Sequence, residues 1–166
     1  DSLYVFGGTD NSSNMNEIVR YDLSTQNSGE WTTIAKVNEA NQRGGVAFVV
    51  EDKVYAGLGE KSNGIRNGFY VSSDSLTKWE LIPSIPAQLG VISSGVYDEQ
   101  KKSFFMIDND GKIWEYNLTT EQWTSRSLWI RMKNYHMFML DGSIYILGQD
   151  IYQKNKFTVY NPIWDN

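Results

Sequence analysis

The chain has no cysteine among its 166 residues, and only three prolines and one histidine. Without thiols there is no disulfide framework, no zinc–thiolate cluster and no cysteine nucleophile. A centre built on several imidazoles is excluded too, because His136 has no second histidine to work with. The expectation is therefore no metal and no cofactor. No apolar run approaches the ~18 residues that a membrane-spanning helix needs. Basic charge is also scarce: 15 Lys and Arg against 20 Asp and Glu leave −5 at pH 7, a balance that disfavours a nucleic-acid partner.

Apolar residues, at 40 % of the chain, are plentiful enough for a core, and aromatics make up 14 %. The organising stretch is Arg43 to Gly59, RGGVAFVVEDKVYAGLG. Val46–Val50 is a continuous apolar run, the pattern of a strand covered on both faces. Glu51-Asp52-Lys53 breaks it with charge, and Val54–Gly59 resumes it and ends in glycines. After a polar loop, Glu60–Asn67, come a third strand at Phe69–Val71 and a fourth at Lys78–Ile82. Four short antiparallel strands in about 45 residues form the plan of a propeller blade.

Echoes of this stretch recur at Leu3–Gly8, Ser93–Ile107 and His136–Gly148. Trp31, Trp79, Trp123 and Trp164 mark the repeat at intervals of roughly 40 to 50 residues, each behind a short tyrosine-bearing strand. These four tryptophans are expected to pack between blades. The approximate blades are 1–36, incomplete, then 43–83, 90–127 and 134–166. The first enters directly on what reads as a second strand, which suggests a piece of a longer precursor.

Tyr4-Val5-Phe6-Gly7-Gly8, followed by Tyr21-Asp22 and Trp31, resembles a kelch repeat. The resemblance covers nearly the whole chain, with departures. Gly57-Leu58-Gly59, Leu147-Gly148-Gln149 and Met106-Ile107-Asp108-Asn109 stand where the double glycine would be. The texture of Val46–Gly59 is similar to galactose-oxidase-central-domain-like kelch proteins of Bacteroidetes. The resemblance implies an all-β, kelch-like propeller of four-stranded antiparallel blades, with about four of six or seven blades in view. A larger propeller, a shorter ring and two chains closing one ring all remain open. It also implies an extracellular, periplasmic or cell-surface setting. Galactose oxidase's copper site needs a cysteine–tyrosine crosslink, which this chain has no residue to make.

Four further motifs bear on chemistry. Asp108–Ile113 resembles the middle of a calcium loop, but Met106 and Asn117 fall where the terminal ligands belong, so it reads as a glycine-containing turn. Ser72–Trp79 resembles the Asp-box turn of sialidase-type propellers, with Leu76 in place of its glycine. That turn is structural even in its own family. Asn11-Ser12-Ser13 and Asn117-Leu118-Thr119 are glycosylation sequons, which matter only in a secreted eukaryotic chain. Neither a nucleophile elbow nor a zinc-protease helix is present.

In kelch-like blades the loops entering the first strand and leaving the second open on one ligand face. Three of the five arginines, Arg43, Arg66 and Arg131, fall in those loops. Their planar forks suit a carboxylate or sulfate, or pair with neighbouring acidic residues. Trp129 and Tyr135 sit in an entering loop where a ring could stack on a sugar. His136 is a weak catalytic candidate as a general base. The functional expectation is a non-catalytic module that recognises a protein or glycan. The alternative is a carbohydrate-directed enzyme of the sugar-acid mutarotase kind.

Overall fold

The computed structural model describes residues 2–10, 13, 15–24, 29–36, 43–61, 64–65, 68–73, 76–86, 92, 94–108 and 110–162. They form sixteen strands and, among the described residues, no α-helix. The chain divides into two compact units, Asp1–Ile82 and Pro83–Asn166. No helix among the described residues is long and apolar enough to cross a membrane.

Unit 1 holds β1 (Ser2–Phe6), β2 (Glu17–Asp22) and β3 (Trp31–Lys36) in one sheet. A second sheet takes β4 (Val46–Val50), β5 (Lys53–Gly57), β8 (Phe69–Ser72) and β9 (Trp79–Leu81), in that order. Between β5 and β8 the polar loop forms a small hairpin of its own, β6 (Glu60–Lys61) and β7 (Gly64–Ile65), which the sequence did not suggest. The two large sheets meet through Ile18 and Leu76, with Phe6, Ile34, Val54 and Trp79 packed around them. Phe6 and Trp79 lie with ring centroids 5.0 Å apart.

Unit 2 repeats the plan. One sheet is β10 (Gly95–Asp98), β11 (Ser103–Ile107), β12 (Lys112–Asn117) and β13 (Gln122–Trp129). The other is β14 (Lys133–Leu140), β15 (Ser143–Gln149) and β16 (Asn155–Tyr160). Every pairing joins neighbours antiparallel. Every residue of β11 is buried. β14 instead alternates, with Tyr135 and Met137 inward and His136, Phe138 and Leu140 outward. The inward set joins Val96, Phe105, Ile107, Ile113, Ile144 and Ile146 in one apolar core.

Two expectations need correction. β4 is not covered on both faces: Ala47 is exposed and Val49 is 68 % exposed. The strand with that property is β11. The repeat tryptophans also differ among themselves. Trp79 packs as expected and donates its indole N–H to the Leu76 carbonyl at 3.0 Å. Trp31 is 52 % exposed and leans on Tyr21, and Trp164 lies outside the described residues.

The turns follow the side chains available. Asp141-Gly142 closes β14–β15 with both residues at positive φ, the pattern a two-residue hairpin needs to match strand twist. Leu76 stands where an Asp-box carries glycine, and it adopts the left-handed conformation all the same, at φ 59°. Burial of its side chain beside Ile18 offsets the backbone cost.

The turn at Asp108 is held by that residue's own carboxylate. One carboxylate oxygen accepts the N–H groups of Asp110 and Lys112, both at 2.9 Å. The other accepts the indole N–H of Trp114 at 2.8 Å. Gly111 follows at φ 86°, and an added Cβ there would meet the Ile130 carbonyl. The loop read as a failed calcium motif is thus a carboxylate-capped turn. Asp108→Ala strips three donors of their acceptor in a buried setting and is expected to lower the unfolding free energy by about 3 kcal/mol. Urea denaturation, followed by tryptophan fluorescence, measures it.

Candidate functional site

Of the six residues singled out from sequence, four can be placed with their side chains. Arg66 lies outside the described residues. Trp129 ends β13 rather than opening a loop, and its side chain is likewise outside the description.

Arg43 is held by a double backbone bridge to Glu60, at 2.9 Å in each direction. Its guanidinium also reaches Glu60 Oε2 through Nη2 at 2.9 Å and Nε at 3.1 Å. Entering and leaving loops of one sheet are tied together here by an exposed ion pair. Arg131 is exposed on the segment between β13 and β14.

Tyr135 is not a stacking platform. It lies within β14, 8 % exposed, and its hydroxyl donates to the Ile107 carbonyl at 2.6 Å. Burial, helped by the nearby Asp108 carboxylate, pushes its phenol well above the usual tyrosine range. The ring belongs to the core because the β14 register turns odd-numbered residues inward.

His136, its neighbour, points the opposite way and is exposed. The pairing of β14 with β15 shifts register between Lys133 and His136, and Asn134 takes φ 49° within that irregularity. Such a bulge re-aims side chains, and asparagine tolerates the left-handed conformation better than most residues. Asn134 donates to the Gln149 side-chain carbonyl at 3.3 Å. Leu147 pairs opposite His136, and Asn155 opposite Gln149.

Together His136, Asn134, Gln149, Asn155 and Lys156 line an open depression of about 410 Å³, with Leu147 and Gly148 as its apolar floor. The β15–β16 turn on its rim is pre-set by Asp150, whose Oδ1 accepts the N–H groups of Tyr152 and Lys154 at 2.8 and 3.0 Å. The ammonium of Lys156 lies 3.8 Å from the other Asp150 oxygen. The depression offers amide donors and acceptors, an imidazole and an apolar patch, and its lining includes no carboxylate. Sequence reasoning named His136 but did not single out Asn134, Gln149 or Asn155. Register alone brings them together, and the out-of-place Gly148 was the one local hint. Among the described residues no cluster of three or more His, Cys, Asp or Glu is arranged to hold a metal ion.

Two measurements follow from this geometry. Arg43→Ala removes one exposed ion pair and is expected to change stability by under about 1 kcal/mol, with the difference shrinking as salt rises. Tyr135→Phe removes a buried hydrogen bond and is expected to cost about 1 kcal/mol at neutral pH. Above pH ~10 the unfolded tyrosine loses its proton before the folded one does, so the native protein loses stability there as pH rises. The variant lacks that contribution, and the gap between the two denaturation curves should narrow in alkaline buffer.

Residues 1–38 match the family model described as the Kelch motif. Among solved structures, that of YjhT superposes with a TM-score of 0.60 over 92 % of this chain at 11 % sequence identity. The match takes in 64 % of YjhT's chain, slightly less than two thirds of its length. A search of curated proteins finds no match. The motif at 1–38, the four antiparallel sheets of three or four strands and the likeness to YjhT agree with the fold of kelch-type β-propeller blades.

Proposed function

We propose that this protein is a non-catalytic binding module that recognises a protein or glycan through the loops at one end of its sheets. The observation that carries this reading is the depression around His136. Its amides and imidazole offer hydrogen bonds in several directions, and Leu147 supplies an apolar contact. Such a mixture suits a neutral polar ligand, a sugar or a peptide backbone, which is held by directional hydrogen bonds over a small apolar floor. The cation of Lys156 is partly neutralised by Asp150, so a strongly anionic ligand is not required.

A single histidine makes the test direct, since its imidazole resonances report on this site alone. Titration with a panel of neutral oligosaccharides and extended peptides should shift those resonances saturably for at least one member. His136→Ala and Gln149→Ala should each weaken that binding about tenfold, equivalent to ~1.4 kcal/mol, while unfolding midpoints stay close to those of the parent. Binding that ignores both substitutions would sink the proposal. Turnover of any sugar in the panel would replace it with the enzymatic reading.

A further inference from the structure

The cations of unit 2 are unevenly placed. Five of the eight Lys and Arg residues in Pro83–Asn166 fall at one end of its two sheets, namely Lys112, Arg131, Lys133, Lys154 and Lys156. Asp108, Asp110 and Asp150 are the acids at that end, which leaves +2. The hairpin turns at the other end carry Asp98, Glu99, Glu121 and Asp141 against Lys101 and Lys102, which leaves −2. A chain of net charge −5 thus keeps a basic patch at the end where the His136 depression opens.

The backbone holds these charges in place. Ile130 is buried and its N–H donates to the Gly111 carbonyl, while Met132 packs against the apolar core. Arg131, between these two anchored residues, is exposed, and so is Lys133 just beyond Met132. Lys133 pairs opposite Gln149, and Gln149 opposite Asn155, so the patch borders the depression. Of the three acids, Asp108 is buried in its own turn and Asp150 lies 3.8 Å from Lys156. Asp110 is exposed. Neither it nor Arg131, Lys133 or Lys154 forms an ion pair with a described residue. Beside Lys154, the Asp150-capped turn carries Ile151 and Tyr152, which are 65 % and 76 % exposed.

We propose that this end of unit 2 recognises an acidic segment of a partner protein, one in which carboxylates flank an apolar side chain. The proposal rests on the reading that this end of the sheets binds a ligand, and it narrows that ligand to protein. Arg131 can donate both arms of its fork to one carboxylate, while the lysines act as point charges. Tyr152 and Ile151 supply the apolar contact, and an aromatic beside an arginine is the composition found at the centres of protein interfaces. Nucleic acid fits less well, because +2 at one end does not offset −5 overall. An acidic glycan would satisfy the cations but make little use of Ile151. The field of the patch reaches about one Debye length, ~8 Å at physiological salt, so it steers the partner in and raises the association rate.

Three probes test it on the full 166-residue chain. They are a capped peptide of glutamates around a central leucine–tyrosine pair, its glutamine counterpart, and an oligogalacturonate. In calorimetry at low salt the glutamate peptide should bind at least tenfold more tightly than the glutamine peptide, and the difference should vanish as added salt screens the patch. Arg131→Glu combined with Lys133→Glu should erase the preference and leave the unfolding midpoint unchanged, since both side chains are exposed. Equal or absent binding of the two peptides overturns the proposal, as does a preference that survives the double charge reversal. Tighter binding of the oligogalacturonate than of the glutamate peptide overturns the protein assignment in favour of an acidic glycan. The His136 resonances keep the two proposals apart. A glutamate preference lost on charge reversal without movement of those resonances upholds the patch and not the depression. Neutral ligands that move them, while the two peptides bind alike, uphold the depression and not the patch.

Discussion

Face-to-face packing of short antiparallel sheets is the constraint on which everything else here rests. A sheet of three or four strands is marginal alone, and it gains stability only when one face is covered by another apolar face. In unit 2 that condition is met by Phe105, Ile107 and Ile113 on one side and Met137, Ile144 and Ile146 on the other. Once those residues are committed inward, period-two alternation leaves His136, Phe138 and Leu140 on the outer face. The position of the candidate ligand site is thus a by-product of core packing. The bulge before His136 adjusts its aim without disturbing the inward set.

Much of the architecture was legible because the repeat writes it several times. Val54-Tyr55-Ala56-Gly57 and Ile144-Tyr145-Ile146-Leu147 occupy equivalent places, and recurrence of the pattern identified second strands wherever they fell. The charged turns at Glu51-Asp52 and Asp141-Gly142 were readable for the same reason: short polar breaks between apolar runs have few conformations open to them. Exposure was harder to read. Val46–Val50 looks as apolar as Ser103–Ile107, yet one strand is half open and the other wholly buried. Burial depends on what lies across from a strand, and composition carries no record of that.

The site was legible only in outline. Tyr135 and His136 are adjacent in sequence and were marked as a ligand contact and a weak catalytic candidate, yet one is a core residue and the other faces solvent. A single step along a strand reverses the face, so a register error of one residue exchanges their roles. Arg43 shows a different limit. Its loop was correctly read, but its partner Glu60 lies 17 positions away and becomes visible only once the two loops are brought together. Polar residues such as Asn134 and Gln149 carry no signature, because amides are common in turns of every kind.

The sequential topology has a consequence for how such a chain comes to be folded. Each large sheet is assembled from strands that follow one another along the chain, with no strand borrowed from elsewhere among the described residues. Closing each hairpin therefore costs only the entropy of a short loop, and one sheet can form before the next is available. A ribosome releasing this chain delivers it in the order in which it can be built. The step that must wait is the mating of faces, so the exposed apolar rows of a newly formed sheet are most vulnerable to aggregation in the interval before their neighbour emerges.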